Sequence, residues 1–196
     1  MSRFYPAVIA TVLLASGVAR GEPLAADDIR RAVDNNIDAA VTLYRQFLAL
    51  PNDALQPDDI EALVAWMEGA FGERGFRTQR IPTSGNPALF AERRHDAAAK
   101  TVLVYLQADG QPVDPSAWAQ ADPFVPVLKT RDEQGNWQQL PWEVLDERFD
   151  PDWRVFARSA SDSKGPMTQF MMAGELLDTL DAAPSYNRQV LVDAEE

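Results

Sequence analysis

Cysteine is absent from all 196 residues, which removes a thiolate nucleophile, thiolate metal ligands and a disulfide framework together. Histidine is nearly absent. The single one, His95, sits in the charged stretch Glu92-Arg93-Arg94-His95-Asp96, outside every motif in the chain, and reads as a solvated loop residue. Basic residues are also scarce: 18 Lys and Arg against 30 Asp and Glu give a formal charge of −12. Nucleic-acid phosphates and anionic lipid headgroups are bound by clustered Lys and Arg. Neither a nucleic-acid partner nor a stable membrane association is therefore expected. Internal repeats and low-complexity tracts are lacking as well.

What remains is ordinary for a globular protein. The chain is 46% hydrophobic and 24% charged, enough apolar residues to build one real core and too many for disorder. Residues 1–21 have the grammar of a secretory signal peptide: Arg3, then the uncharged run Ala7 to Leu14, then small residues at Gly17-Val18-Ala19 or Ala19-Arg20-Gly21. The run is too short to span a membrane. Cleavage there implies a secreted or periplasmic protein, and without a cysteine the segment carries no lipid anchor.

Residues 26–50 predict one amphipathic helix, with Ile29, Val33, Ile37, Val41, Tyr44 and Leu48 at helical spacing. Pro51-Asn52-Asp53 ends it. A second helix is expected from about Asp58, capped by Asp58 with Glu61 three residues on. Its apolar face is Ile60, Leu63, Val64, Met67 and Phe71, and Gly75 marks its end. The period then shortens. Phe76 to Pro82 and Leu89 to Arg93 predict partly exposed strands, and Thr101 to Leu106, continuous and β-branched, predicts a buried central strand. Residues 110–126 hold four prolines and read as a loop. Val127 to Leu140 predicts a hairpin, Arg154 to Ala157 a short strand, Gly165 to Leu180 a helix, and Val190-Leu191-Val192 a buried strand. Helices alternating with apolar strands give an α/β sandwich.

In such sheets ligands bind beyond the carboxyl ends of strands. Asp109, Asp162 and Glu195-Glu196 each follow a predicted strand. Carboxylates gathered from separate strand ends are what divalent cations require; helix caps and solvated turns are the other reading of the same residues.

Three ordered segments carry a resemblance. Tyr105-Leu106-Gln107-Ala108-Asp109-Gly110-Gln111-Pro112-Val113-Asp114-Pro115, then Trp118 and Asp122-Pro123-Phe124, resembles the first metal segment of the aminoacylase, carboxypeptidase G and carnosine-dipeptidase family, the M20 metallopeptidases. Its dipeptidase branch reads approximately Gly-His-x-Asp-Val-Gln-Pro-Val-Asp-Pro, then Trp and Pro-Phe. Phe156-Ala157-Arg158-Ser159-Ala160-Ser161-Asp162-Ser163-Lys164-Gly165-Pro166 is similar to the family's Tyr-Gly-Arg-Gly-Ala-Ser-Asp-x-Lys-Gly-Pro. Val190 to Glu196 resembles the strand leading into its Glu-Glu pair, and Leu50-Pro51-Asn52-Asp53 also fits.

The resemblance implies a three-layer α/β/α sandwich with a mixed, mainly parallel sheet. Residues 22–196 would be the N-terminal part of the catalytic domain, without the lid or dimerisation domain and without the rest of the catalytic domain. It implies an amide-bond hydrolase of dipeptidase or N-acyl-amino-acid deacylase type. Two divalent metal ions, zinc by expectation, would serve the complete protein, with small peptides or N-acyl amino acids as substrates and a homodimer as the assembly. Asp162 would bridge the metals and Asp109 would orient the first metal-binding histidine. The Glu-Glu pair would supply the general base and a ligand to the second metal, either as Glu195 and Glu196 or, one residue later, with Glu196 as the base.

The departures bear on activity. Gln107 stands at the first metal histidine, and a neutral amide is a poorer ligand than imidazole. Leu106, Ala157 and Ser159 replace motif glycines. The chain by itself is expected to be inactive, and a non-catalytic peptide-binding or degenerate member of the same fold is the alternative.

Overall fold

The computed structural model describes residues 24–195, apart from Ala98 and Ala183. The expected signal peptide and Glu196 lie outside the described residues.

The single helix expected over 26–50 is two, α1 (Ala26–Asp34) and α2 (Ile37–Leu48). The break falls on Asn35-Asn36, both poor helix formers. Asn36 leaves helical backbone at φ −118°, and its side-chain amide turns back onto the Ala32 carbonyl at 2.8 Å, the local bonding by which asparagine competes with a helix. The next helix, α3 (Pro57–Glu73), starts on proline, which needs no amide partner in a first turn. Asp58 is not a cap, because α3 has no side-chain cap; with Asp59 it lies in the first turn, where carboxylates favour the positive end of the helix dipole. The expected apolar face is the observed one: Ile60, Leu63, Val64, Met67 and Phe71 are fully buried, each contributing roughly 1.5–3 kcal/mol by leaving water. The helix stops where Gly75 takes φ +76°. Amides of Gly75 and Phe76 then reach back to the carbonyls of Gly72 and Phe71, at 2.9 and 3.1 Å. That is a Schellman closure, sealed by the Phe71 and Phe76 rings packed edge to face.

Numbered in chain order, the strands are β1 (Arg77–Ile81), β2 (Ala88–Arg93), β3 (Thr101–Gln107), β4 (Val127–Arg131), β5 (Trp137–Leu140), β6 (Arg154–Phe156) and β7 (Asn187–Asp193); α4 (Gly165–Thr179) precedes β7. They form two sheets. The larger runs β1-β2-β7-β3, with β7 antiparallel to β2 and parallel to β3. The smaller runs β5-β4-β6 and is antiparallel throughout; its β4–β5 hairpin is the expected one.

The α/β class and the mixed sheet are as expected, and in the described sheet the parallel pairing is β3 with β7. The last strand, not the Thr101 run, holds the centre. β3 pairs only with β7 among the described residues, and Val102, Leu103 and Tyr105 are exposed. A continuous β-branched run signals burial on both faces, but here nothing described covers its far edge.

One face of the sheet carries the core. Leu89 and Ala91 of β2 and Val190 and Val192 of β7 join Phe47 of α2, the stripe of α3, and Met167 and Met171 of α4 in one buried cluster. Trp66 stacks on Phe47 with ring centroids 4.6 Å apart. The alternate side chains, Phe90, Leu191, Leu103 and Tyr105, share the opposite face by register. Leu103 and Tyr105 are 59% and 55% exposed there, so the described residues supply two layers of the expected three.

Candidate functional site

Asp109 leaves the sheet two residues after β3 ends. The Ala108 amide extends the β3–β7 pairing by donating to the Asp193 carbonyl at 2.8 Å, which buries Ala108 fully and leaves Asp109 only 6% exposed. The next residue is clamped by the segment after α2. Gly110 donates to the Asn52 carbonyl at 2.6 Å and accepts from the Ala54 amide at 3.2 Å, an isolated parallel bridge across Asp53 and Gly110.

Asn52 is fully buried and spends its side-chain amide on two neighbours, the Ala108 carbonyl at 2.7 Å and the Ser159 hydroxyl at 3.0 Å. Ser159 stands in left-handed backbone, φ 59° and ψ 20°, which costs a residue with a Cβ. Gly110 packs against the pair so closely that a Cβ on it would lie 2.7 Å from the Ser159 Oγ. Through Asn52 the turn bearing Asp109 and the loop bearing Asp162 become one body.

That loop is tied at four further points. The Arg158 amide donates to the Pro123 carbonyl at 2.7 Å. The Tyr44 hydroxyl of α2 donates to the Ala160 carbonyl at 2.6 Å, and burial pushes its pKa up to about 12. The Lys164 amide donates to the Ser159 carbonyl at 3.1 Å, closing a wide π-type turn over Ala160–Lys164. The Lys164 ammonium, fully buried, donates to the Leu50 carbonyl between the rings of Phe47 and Phe124. Among the described residues no carboxylate pairs with it, and desolvation pulls its pKa down to about 7. Asp162 itself is exposed, accepts from the Ser163 hydroxyl at 2.6 Å, and precedes a cis peptide.

Asp109 and Asp162 thus line one open cleft of about 480 Å³, with Gln111, Trp118, Phe156 and Arg158 among its other walls. The remaining residues singled out in the sequence are elsewhere. Gln107, at the end of β3, faces Asp193 in register and does not line the cleft. Glu195 turns away. Its carboxylate accepts from the Asn86 amide at 3.0 Å, in the connection between β1 and β2, and Asn86 also holds the Ala194 carbonyl. Glu196 lies outside the described residues. His95 is exposed in the loop before β3, where its amide donates to Asn187 Oδ1 at 2.8 Å.

The donor set decides how well metal ions fit. Among the described residues no group of three His, Cys, Asp or Glu side chains converges to hold one. Gln107 brings a neutral amide and Glu195 is engaged at Asn86. The described residues therefore do not complete a two-metal site. Sequence reading missed the residues that build the cleft, Tyr44, Asn52, Arg158 and Lys164. Asn52 carried a helix-stop signal and a place in a segment that fits the resemblance, but no site role, and nothing local marks Lys164 as buried.

The arrangement is an α/β domain with two carboxylates on loops that follow strands. No family profile matches the sequence, and no curated protein matches it. Solved structures do match. Human carnosine dipeptidase superposes with a TM-score of 0.65 at 20% identity, over 86% of this chain and 34% of its own. A metallo-carboxypeptidase of the M20 family from Sulfolobus solfataricus gives 0.59 at 25% identity, over 80% and 31%. A di-peptidase from Saccharomyces cerevisiae gives 0.64 at 14% identity, over 85% and 34%. The fold is that of M20 metallopeptidases, and the chain spans about a third of the length of these structures.

Proposed function

We propose that this chain is the carboxylate-bearing part of an amide-bond hydrolase of dipeptidase type, able to bind a small peptide in its cleft and unable to hydrolyse it alone. The observation that carries the reading is the meeting of Asp109 and Asp162 in one cleft, supplied by two separate loops of a fold whose solved neighbours include dipeptidases. Carboxylates at a rigid rim can hold the ammonium or amide N–H of a peptide by charge-assisted hydrogen bonds. Asn52 fixes both loops, so the binding groups are set before the ligand arrives.

Inactivity rests on the donor set. Hydrolysis by this fold needs a polarised carbonyl and an activated water, and the described residues gather two carboxylates where a metal pair needs more. The Glu195 carboxylate, held at Asn86, is not placed to take a proton from a water in the cleft. A non-catalytic peptide-binding protein of the same fold is the second reading, favoured by Gln107 at the position where the family has its first metal histidine.

The test is a turnover assay on the purified chain with dipeptides and N-acyl amino acids, in zinc, manganese or cobalt salts, beside calorimetry of peptide and metal binding. Peptide binding without turnover, and without saturable metal uptake at micromolar protein, is the expected result. Chelator-sensitive hydrolysis overturns the inactivity. Failure of every peptide to bind overturns the reading as a whole.

A further inference from the structure

We propose a second ligand site in this chain: a small pocket at the opposite end of β7 from the cleft, where Arg188 takes the carboxylate of an organic acid carrying a ring or a branched chain.

Arg188 is the second residue of β7 and pairs directly with Arg93 of β2. By register both belong to the core face, in step with the Ala91–Val190 and Leu89–Val192 pairs. Two like charges directly opposite on one face repel. Arg74, the residue after α3, is the third cation of the same pocket. Two carboxylates of α4 answer these cations: Glu175 pairs with Arg74 at 3.1 Å, and Asp178 pairs with Arg93. Arg74 and Arg93 also close the end of α3, donating to the Ala70 and Arg74 carbonyls at 2.9 and 3.2 Å. A helix C-terminus favours cations there.

Arg188 has no such occupation. It is 9% exposed, and its guanidinium lies 5.5 Å from the centroid of the Phe76 ring. Among the described residues it has neither a hydrogen-bond partner nor a carboxylate in ion-pair reach. Arg74 Nε is sealed from solvent without a partner, but no nitrogen of Arg188 is. Gly174 of α4 leaves the space that the guanidinium fills, since a Cβ there would lie 3.2 Å from Nη1. Burial, with the Arg93 charge adding to it, pushes the Arg188 pKa below its ordinary value, yet a guanidinium stays charged at any working pH. Three cations against two carboxylates leave one positive charge on a buried group, in a protein of formal charge −12. A buried cation without a partner is costly, and an anion in the pocket supplies one.

The walls set the rest of the ligand. The pocket holds about 200 Å³, and Phe76, Phe170, Leu177, Pro184 and Tyr186 make much of it apolar. That is below the range of pockets that take drug-sized molecules, and a flat ring or a short branched chain suits it. The free fork of Arg188 matches a planar carboxylate through parallel N–H bonds. Phosphate, more highly charged, would lose water that apolar walls do not replace.

Benzoate, benzamide and inorganic phosphate are titrated calorimetrically into the full chain at low ionic strength, with Arg188→Gln, Gly174→Ala and Arg158→Gln alongside. Wild type is expected to bind benzoate roughly tenfold tighter than benzamide, the strength of one charge-assisted bond, and tighter than phosphate. Arg188→Gln erases that preference. Gly174→Ala favours the helix and crowds Nη1, so it weakens benzoate severalfold and keeps the test open should the Arg188 variant fail to fold. Arg158→Gln, in the cleft, leaves benzoate binding as it is. No saturable benzoate binding, equal binding of benzoate and benzamide, or tighter binding of phosphate overturns the proposal. So does a loss of benzoate in Arg158→Gln that Arg188→Gln does not share, which would put the anion in the cleft.

Discussion

Asn52 Nδ2 lies 3.0 Å from the Ser159 hydroxyl and Asn52 Oδ1 lies 3.3 Å from the same oxygen, so the two side chains exchange donor and acceptor across 107 positions of sequence. The contact has a consequence for backbone geometry. A serine at φ 59° is strained, and the bond to Asn52 helps hold it where glycine would rest without help.

Asn52→Ala removes that bond and the one to the Ala108 carbonyl, leaving buried groups unpaired. It is expected to destabilise the chain by about 1–3 kcal/mol in urea unfolding. Ser159→Gly in the Asn52→Ala background should recover part of the loss, because glycine adopts the left-handed conformation without a partner. A double-mutant cycle reads the coupling directly. Additive effects would mean that the pair does not hold the loop.

The two aspartates make unequal use of the cleft from Glu195. Asp162 is exposed on its wall, whereas the Glu195 carboxylate is bound at the Asn86 amide. Asp162→Asn is therefore expected to weaken dipeptide binding severalfold, while Glu195→Gln leaves it unchanged and lowers the melting temperature slightly. A Glu195→Gln variant that loses peptide binding would place that carboxylate in the site after all.

How much of this was legible follows from the range of each interaction. The stripe of α3 and its Gly75 stop are local patterns, and they stand where the spacing puts them. The α1–α2 break was legible in principle in Asn35-Asn36, but six apolar positions in helical register outvoted two asparagines. The exchange of roles between β3 and β7 was not legible, since Thr101 to Leu106 and Val190 to Val192 look equally buried, and only the pairing order separates them. Of the site, Asp109 and Asp162 came from motif order. Asn52, Tyr44 and Lys164 did not, because each acts on a residue more than 50 positions away or on a bare carbonyl.

Lys164 should give the stability a pH dependence of unusual sign. Its folded pKa is near 7 because burial disfavours the ammonium, against an unfolded value of about 10.4. Between these values the unfolded chain holds a proton that the folded chain has released, so stability rises with pH, with a limiting slope of about 1.4 kcal/mol per unit. The Leu50 carbonyl and the rings of Phe47 and Phe124 favour the ammonium and oppose the shift. Above pH 10 Tyr44 works the other way, since its raised pKa keeps a proton that the unfolded chain loses. Urea melts from pH 6.5 to about 9.5 should show Lys164→Met removing a rise present in wild type. A wild-type profile already parallel to the variant's would mean that Lys164 stays charged in the fold.

Self-association is the expected fate of the uncovered strand. β3 presents seven residues without a bulge, proline or charge to an edge that no described strand pairs, and Val102, Leu103 and Tyr105 are exposed along it. Natural edges are guarded by lysine, proline or bulges, because an open ladder of amides and carbonyls templates another strand. The nearest charge is Lys100, one residue before the strand begins. The formal charge of −12 opposes approach of a second copy, but it is screened beyond about 10 Å at 0.1 M salt. Sedimentation velocity should accordingly show association that grows with protein concentration and with salt. Leu103→Lys puts a charge on the exposed face without touching the buried side of β7, and it should suppress the larger species at unchanged melting temperature. A wild-type chain that stays monomeric at high concentration and high salt would mean that this edge is covered or guarded in a way the described residues do not provide.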